Sequence, residues 1–429
     1  MGFLRYEKEY NPALLKRPDF DISQIEESVD EILERVKNDG DRALVEYALK
    51  FDSSNLSEGL FVTKDELDRA EAMLSNELKA AILHAHMNIE RFHMAQITKG
   101  ENIETEPGVV CSRKIVPIDK VGLYIPGGTA PLFSTVLMLA TPAKCAGCND
   151  IMLATPAKDG MINPAVLYAA KISGVDRILK VGGAQAIAAF AYGTESIERR
   201  NKIFGPGNRF VSMAKMKVQS ICSIDMVAGP SEVMVVADES ANPLYVATDL
   251  LSQAEHGKDS QVVLVIYSKS MSDADNIYEN IERALALELE KLGRKEYMLP
   301  SLEHSVAFAF TSLDDVLKTI NEYAPEHLII NTVNDEEILA GVTSAGSVFL
   351  GQYSPESAGD YASGTNHTLP TSGWAHSSSG VSVDSFVKKI TVQRLSKEGI
   401  SRLGNTVIEL AEAEGLTAHA EAARVRLYE

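Results

Sequence analysis

The feature that most constrains the fold is an alternation, from residue 115 onward, of short apolar runs with stretches of helical spacing. The runs VGLYIPGG, DIMLATP, DRILKVGG and KIFGPG come first, and EVMVVAD, QVVLVIYS, SVAFAFTS, HLIIN and SAGSVFLG form a second series. Such an alternation is typical of βαβ units and predicts parallel sheets. The sequence therefore predicts an α/β protein with two related parallel-sheet domains, the first inserted within the second.

Glycines end several strands of the first series, in IPGG, KVGG and FGPG. Glycine at the carboxyl end of a strand lets a ligand approach the backbone closely, which suits a nucleotide. No GxGxxG motif is present, because Phe210 stands where the third glycine would be. The same glycines are equally well explained as turns that pack helices on strands, so the pattern alone leaves dinucleotide binding open.

A metal site is indicated by DLLSQAEHG, residues 249–257. Asn242 followed by Pro243 predicts the start of a helix, and Gly257 predicts its end. Gln253 and His256 are three residues apart, so we expect them on one helix face, where an amide oxygen and an imidazole nitrogen can reach one metal ion. Pairs of this kind are also common as ordinary surface or core residues.

Further polar residues stand at strand entrances. Ser231 follows Gly229 and Pro230 in AGPSE, either as part of a turn or as a binding residue. Glu326 and His327 are adjacent in APEHL, just before a strand. A neighbouring carboxylate and imidazole are suited to two separate proton transfers, although the same pair could lie in a surface turn.

Two segments near the C-terminus carry other candidates. Residues 354–371 are too polar and too rich in glycine for a packed element, and long loops of this kind are usually functional. Asp360 in this loop could add a carboxylate oxygen to the metal site. Glu414 and His419 lie on either side of the turn between two predicted C-terminal helices, where a histidine is normally exposed.

The N-terminal region reads as helical. Amphipathic spacing predicts helices over residues 22–38 and 41–50, separated by Gly40. Thr63 with Glu66 forms a capping box, and helical spacing continues to about residue 96, in two pieces. Residues 1–20 are expected to form an extended arm.

Composition limits the environment and the partners. The net charge of −19 disfavours a surface for nucleic-acid phosphates. The opening residues lack a secretory signal, and the most apolar stretch, residues 130–143, is too short to span a bilayer. We expect a cytoplasmic protein with no membrane partner.

Of the four cysteines, Cys145 and Cys148 form a CxxC, but no second pair completes a four-sulfur zinc site. This favours the explanation that the two cysteines pack as small apolar residues.

Taken together, the motifs resemble those of the histidinol dehydrogenase family. The matching stretches run in order between residues 121 and 423: VGLYIPGG, KVGGAQAIAAFAYGT, IFGPGN, AGPSE, DLLSQAEHG, APEHL, SAGDYASGTNHTLPT and EGLTAHAEA. The resemblance implies a zinc enzyme that oxidises L-histidinol through L-histidinal to L-histidine with two NAD, the last step of histidine biosynthesis. It also implies two Rossmann-like domains with small N- and C-terminal extensions, and a homodimer with shared active sites.

Specific residues follow from the matching motifs. The resemblance implies Glu326 and His327 as the catalytic pair. It implies zinc ligands at Gln253, His256, Asp360 and His419, substrate contacts at Ser231, Gln253, His256, His327, Asp360, Glu414 and His419, and NAD contacts at Tyr124, Gln185 and Asn208. The expected division of the chain is an arm (1–21), an α/β domain with the metal and catalytic residues (22–120 and 233–380), an inserted NAD domain (121–232) and a tail that packs on the partner subunit (381–429).

Two other functions are compatible with parts of this pattern. A zinc hydrolase could use Glu326 to activate a metal-bound water, but the chain has no HExxH and its glycine-edged sheets suit a nucleotide better. A non-catalytic metal or metabolite binder would need the same ligands and no turnover.

Overall fold

A computed structural model describes residues 2–18, 25–127, 131–227 and 229–428. The strands are β1 Arg5–Glu7, β2 Asn102–Glu106, β3 Val109–Pro117, β4 Lys120–Tyr124, β5 Asp150–Ala154, β6 Arg177–Leu179, β7 Lys202–Phe204, β8 Ser223–Ile224, β9 Glu232–Ala237, β10 Gln261–Tyr267, β11 Val306–Phe310, β12 His327–Asn331, β13 Ser347–Leu350 and β14 Val387–Leu395. The helices are α1 Glu26–Asp52, α2 Lys64–Met73, α3 Asn76–Met94, α4 Phe133–Ala146, α5 Pro164–Ile172, α6 Gly183–Tyr192, α7 Arg209–Val218, α8 Pro243–Ala254, α9 Met271–Lys291, α10 Lys295–Glu303, α11 Leu313–Tyr323, α12 Asp335–Gly341, α13 Glu356–Tyr361, α14 Lys397–Ala413 and α15 Thr417–Tyr428.

Two parallel sheets form the body of the molecule. The five-stranded sheet has the order β6-β5-β4-β7-β8, and the six-stranded sheet has the order β1-β11-β10-β9-β12-β13. The five-stranded sheet is built entirely from residues that lie between β1 and β9 in the chain. The predicted fold class, an α/β protein with two Rossmann-like parallel sheets, one inserted in the other, is confirmed.

Several element boundaries follow from local chemistry. The Asn242 side chain accepts a hydrogen bond from the Leu244 N–H (3.0 Å) and caps α8, with Pro243 at its first position. Thr63 and Glu66 form the predicted capping box of α2. Gly40 interrupts α1 with φ 52° and ψ −132°, which separates the two predicted helices. Residues 22–24 of the first predicted helix, residues 1 and 19–21 of the predicted arm, and Gly128 of the predicted glycine pair lie outside the described residues.

The packing of the N-terminal helices differs from the predicted domain division. Helix α1 packs over α6 on one face of the five-stranded sheet, in one apolar core that includes Leu179 of β6 and Phe190 of α6. Residues of α2 and α3 share a second core with β4, β5 and α4. The predicted division grouped residues 22–120 with residues 233–380, whereas α1, α2 and α3 pack with the five-stranded sheet. Amphipathic spacing gives the buried face of a helix but not the sheet it covers.

Segments outside the two parallel sheets also form regular secondary structure. Strands β2 and β3 form an antiparallel sheet with β14, in the order β14-β3-β2, so the tail pairs with residues 109–117 of its own chain. Helices α14 and α15 share a small apolar cluster around Ile408 and Ala420. The polar segment 354–371, expected to lack a packed element, contains the six-residue helix α13. In the part of the chain that the structure describes, no helix is long and apolar enough to cross a membrane.

The CxxC cysteines lie at the end of α4 and just beyond it. Cys148 is buried and its thiol lies 3.9 Å from the Phe386 carbonyl oxygen. Burial raises the pKa of Cys145 to about 11 and that of Cys148 to about 12, so both remain thiols at neutral pH. This agrees with the packing explanation.

Candidate active site

A cavity of about 150 Å³ lies at the amino ends of β9 and β12, where the six-stranded sheet faces α4 and the turn after β7. Five of the predicted site residues line it: Ser231, His256, Glu326, His327 and Asp360. The remaining side includes Thr135 and Pro206 from the inserted unit. The cavity is therefore built by both parallel-sheet units, and the structure brings together residues that are up to 239 positions apart in the sequence (Leu132 to Thr371).

The centre of the cavity is His327, the first residue of β12. Its Nδ1 lies 3.3 Å from the Glu232 carbonyl oxygen and 3.6 Å from Glu326 Oε2. Its Nε2 lies 3.3 Å from Asp360 Oδ1 on α13. Glu326 is fixed in turn, because its Oε2 accepts a hydrogen bond from the Glu232 N–H at 3.0 Å. The imidazole therefore stands between two carboxylates in a buried setting.

These contacts shift the pKa values of His327 and Asp360. Burial acts to lower the pKa of His327, but the Glu326 and Asp360 carboxylates outweigh it and raise that pKa well above its ordinary value. Burial likewise acts to raise the pKa of Asp360, and the neighbouring His327 outweighs it and lowers that pKa. The pair is suited to hold and pass a proton.

The amino edge of the sheet is supported from the N-terminal arm. Arg17 forms an ion pair with Glu232, the residue after Ser231, and its guanidinium lies 4.0 Å from the centre of the Tyr323 ring. It also donates a hydrogen bond to the Tyr323 carbonyl oxygen (2.6 Å). Arg17 thus fixes the backbone that carries both Ser231 and the donor to Glu326. Sequence reasoning missed it, since an arginine in an extended arm has no distinguishing signal.

Gln253 and His256 lie at the carboxyl end of α8, where the His256 N–H donates a hydrogen bond to the Gln253 carbonyl oxygen (3.2 Å). Helix α8 ends at Ala254, so Gln253 is its penultimate residue and His256 lies beyond it. His256 lines the cavity. The Gln253 amide is fully buried, and its hydrogen bonding is satisfied when its nitrogen donates to Glu356 Oε1 (3.0 Å) and its oxygen accepts from the Glu232 N–H (2.7 Å). Burial raises the pKa of Glu356 to about 8.

Metal-binding geometry is incomplete within one chain. Among residues 2–18, 25–127, 131–227 and 229–428, no three His, Cys, Asp or Glu side chains are arranged to hold a metal ion together. His256 and Asp360 nevertheless line one cavity and interact electrostatically. An imidazole and a carboxylate are ligands that zinc accepts, so one chain offers part of a zinc site.

A second cavity, of about 460 Å³, lies at the carboxyl ends of β4 and β7. All three predicted nucleotide residues line it: Tyr124, Gln185 and Asn208. Tyr124 is buried at the end of β4, and its hydroxyl oxygen accepts a hydrogen bond from the Gly183 N–H (3.1 Å). Asn208 caps α7 through the Val211 N–H (3.2 Å). The cavity thus sits where strand order reverses, the usual ligand crevice of such sheets.

One turn connects the two cavities. Pro206 lines the first and Asn208 lines the second. Gly205 precedes them with φ 122°, and a Cβ there would lie 2.0 Å from the Tyr124 carbonyl oxygen, so only glycine fits. The buried Lys215–Asp225 ion pair holds this glycine on both sides: Lys215 Nζ donates to its carbonyl oxygen (2.9 Å) and Asp225 Oδ2 accepts from its N–H (2.7 Å).

The C-terminal candidates lie elsewhere. Glu414 and His419 are exposed on the α14–α15 pair and line neither cavity. The structure of one chain does not bring them to the other predicted ligands.

His367 also belongs to the cavity, although it was not among the predicted site residues. Its Nδ1 lies 2.9 Å from the Asp360 carbonyl oxygen and its Nε2 lies 3.0 Å from Thr135 Oγ1. Its place in the polar segment 354–371 was the available signal. Thr135 lies in a helix that is apolar nearly throughout, so nothing in its sequence context marked it.

Comparisons with known proteins agree with this architecture. Residues 15–427 match the family model described as histidinol dehydrogenase. The histidinol dehydrogenase of Bacteroides thetaiotaomicron is 52% identical over 430 residues, covering 100% of this chain and 99% of that protein. The chain belongs to the histidinol dehydrogenase family. It is accordingly an oxidoreductase, and the resemblance noted from the motifs is confirmed.

Other members of the family extend the match. The histidinol dehydrogenase of Escherichia coli O6:H1 is 50% identical over 98% of this chain and 95% of its own length. The crystal structure of histidinol dehydrogenase from Elizabethkingia anophelis superposes with a TM-score of 0.96 at 47% identity, covering 100% of this chain and 98% of that chain. The similarity spans both parallel sheets and the tail.

Proposed function

We propose that this protein is a zinc-dependent enzyme that oxidises L-histidinol through L-histidinal to L-histidine with two NAD, the last step of histidine biosynthesis. The observation that carries the proposal is the pair of cavities joined by the turn at residues 205–208. One cavity presents a histidine between two carboxylates, and the other has the position and the glycine-edged floor of a nucleotide crevice. The expected cellular location is the cytoplasm.

The proton chemistry is assigned to Glu326 and His327. The Glu326 and Asp360 carboxylates favour the protonated imidazole, so the reacting form is His327 after loss of its Nε2 proton. With Nδ1 directed to the Glu232 carbonyl oxygen, Nε2 then takes the hydroxyl proton of histidinol while hydride leaves carbon for the nicotinamide. Glu326 then activates water for addition to the aldehyde, and the hydrate loses a second hydride to give the carboxylate. Because the aldehyde stays in a small, partly closed cavity, side reactions are limited.

The proposed zinc ligands are Gln253, His256 and Asp360 of one chain and His419 of the partner. When bound, zinc would supply a positive charge that orients the imidazole and amine of histidinol. The donor chemistry at His256 and Asp360 fits such an ion. The Gln253 oxygen fits only if its amide turns away from the Glu232 N–H.

The remaining ligands require a second subunit. Glu414 and His419 are exposed on a helical pair whose own apolar cluster is small, and the site on the same chain lacks them. A homodimer in which the α14–α15 pair of one subunit completes the cavity of the other would account for both facts. Ser231 and His327 would then contact the substrate from one side and the partner subunit's Glu414 from the other.

The direct test is to mix the zinc-loaded protein with L-histidinol and NAD and to follow NADH. Two NADH should form for each histidinol, with L-histidine as product. His256→Ala should lose zinc and turnover but keep its circular dichroism spectrum, whereas His84→Ala, a change at an exposed histidine on α3, should lose neither. A zinc hydrolase or a non-catalytic binder would produce no NADH, and full activity in metal-free protein would exclude the role of zinc.

Complementation tests the shared site. The His256→Ala and His419→Ala homodimers should both be nearly inactive. If an equal mixture is unfolded and refolded together, about half of the dimers should be mixed, each with one intact site, so activity should recover to about a quarter of the wild-type value. Mixed dimers without recovery would place His419 in the site of its own chain.

A further inference from the structure

One wall of the nucleotide cavity comes from outside the five-stranded sheet. Phe51 and Asp52, the last residues of α1, line the cavity together with Tyr124, Gln185 and Asn208. The end of α1 is tied to the inserted unit, since the Asp52 carbonyl oxygen accepts a hydrogen bond from the Asp159 N–H (3.4 Å). The Ser54 hydroxyl also donates to the Ala157 carbonyl oxygen. This wall is therefore held in place by the sheet that it covers.

The Asp52 carboxyl has an unusual setting. Its Oδ2 is buried and has no hydrogen-bond partner among the described residues. Burial raises the pKa of Asp52 to about 6, so the group is still ionised at neutral pH. Because the Asp52 carboxyl lines the open cavity without a hydrogen-bond donor from the described residues, it is available to accept hydrogen bonds from a ligand bound there.

The charges around the cavity narrow the choice of ligand. Of the described residues that line it, none is a lysine or arginine, and Asp52 is the single ionised group at neutral pH. The nearest cation noted along α1 is Lys50, whose Nζ lies 5.1 Å from the centre of the Phe51 ring, outside the cavity lining. A carboxylate accepts hydrogen bonds from ribose hydroxyls, as acidic residues do in many dinucleotide sites, and repels a phosphate at the same position.

We propose that Asp52 determines cofactor specificity: it accepts hydrogen bonds from the adenosine ribose hydroxyls of NAD and excludes the 2′-phosphate of NADP. This rests on the proposed function. The adenosine end is assigned because the nicotinamide must reach the catalytic cavity through the turn at residues 205–208, whereas α1 lines only the nucleotide cavity. Phe51 and Phe210 are partly exposed and line the same cavity, which offers aromatic faces to the adenine. Phe210, which stands in place of the third glycine of the GxGxxG motif, would thus contact the adenine.

The test compares Asp52→Asn and Asp52→Ala with wild type, measuring kcat and KM for NAD and for NADP with histidinol saturating. Asp52→Ala should raise the KM for NAD about tenfold with kcat little changed, since a charge-assisted hydrogen bond is lost far from the reacting carbon. Both variants should lower the KM for NADP at least tenfold, because the repulsive charge is gone. Asp52→Asn should lose less NAD affinity, since its amide oxygen still accepts a hydrogen bond.

The matched control is Asp159→Asn. Asp159 is an exposed carboxylate on the neighbouring loop and does not line the nucleotide cavity, so its removal should leave the ratio of NAD to NADP efficiency unchanged. An unchanged ratio in both Asp52 variants, with wild type active on NAD, would overturn the assignment and leave the proposed function intact. If wild type forms no NADH, the proposed function fails, and calorimetric titration of NAD and NADP into the same variants still decides the role of Asp52.

Discussion

The two parallel sheets have the same strand order but use opposite edges. Omitting the added strand β1, the six-stranded sheet reads β11-β10-β9-β12-β13, the same 3-2-1-4-5 sequence as β6-β5-β4-β7-β8. In the five-stranded sheet the large cavity lies at the carboxyl ends, where strand order reverses. In the six-stranded sheet the proposed catalytic residues lie at the amino ends of β9 and β12.

The corresponding carboxyl edge of the six-stranded sheet holds a cavity of about 220 Å³, lined by residues such as Asp238, Tyr267 and Thr311. The Asp238 carboxylate there already accepts hydrogen bonds from the Ser240 and Val333 N–H groups (2.8 and 2.9 Å), so both of its oxygens have partners within the protein. Topology therefore offers a crevice but does not determine its use. The proposed chemistry lies at the amino edge, which faces α4 and the turn beside the nucleotide cavity.

The largest expected effect is at that amino edge. In Glu326→Gln, oxidation of added histidinal should fall about 10²- to 10⁴-fold, because the base that activates water is lost. The first hydride transfer should fall much less, since the amide oxygen can still accept the Glu232 N–H and keep its place beside His327. Rapid-mixing measurement of the two half-reactions distinguishes them. Equal losses in both would contradict the assignment of Glu326 to the water step.

A smaller effect is expected from the support beneath the same edge. Arg17→Met leaves the buried Glu232 without its ion-pair partner and should lower the free energy of unfolding by about 2–3 kcal/mol. Urea unfolding at fixed protein concentration measures it. Arg17→Met combined with Glu232→Gln should recover part of the loss, since no unpaired charge remains. A single variant as stable as wild type would show that the arm contributes little to the amino edge.

A substitution at the carboxyl edge of the five-stranded sheet should change the affinity for NAD rather than the rate of turnover. Gln185→Ala removes a side chain from the first turn of α6 and should raise the KM for NAD about tenfold, equivalent to about 1.4 kcal/mol, with kcat nearly unchanged. Zinc content should not change. A loss confined to kcat would place Gln185 at the chemistry instead of at the cofactor.

The smallest effect is expected at the unused carboxyl edge. Thr311 is exposed and lines the small cavity there. Thr311→Ala should leave kcat and both KM values within about twofold of wild type, as expected for a surface change away from a site. A clear change in either KM would show that this edge also binds a substrate or cofactor, and the contrast between the two sheets would fail.

Much of the fold could be predicted because its signals are local. The alternation of apolar runs and helical stretches gave both sheets, and Gly40 and the Thr63–Glu66 box marked helix ends correctly. The packing partner of α1 could not be predicted, since an apolar helix face fits either sheet equally well. Asp52 was missed for the same reason: it reaches the nucleotide cavity only through that packing.

The site residues also divide into those whose positions could be predicted from local sequence and those whose positions could not. Ser231, Glu326 and His327 stand at strand entrances, and parallel pairing of β9 with β12 brings strand entrances together. Gln253 and His256 were predicted to lie within one helix, but α8 ends between them and His256 stands in the turn that follows, because spacing alone cannot fix the last turn. Glu414 and His419 lie away from the cavity of their own chain, and under the proposed function they reach a site only in a partner subunit, which no pattern within one chain describes.

The pairing of β1 with β11 has a consequence for synthesis on the ribosome. Arg5 lies opposite Val306, so the first strand must wait for about 300 further residues before its neighbour exists. At typical elongation rates this takes roughly 15 to 60 s. The inserted sheet and helices α1–α3 are complete before β9 is made, so they can fold while the chain is still growing. The N-terminal arm can therefore join the six-stranded sheet only after β9, β10 and β11 have been made, although it leaves the ribosome before all three.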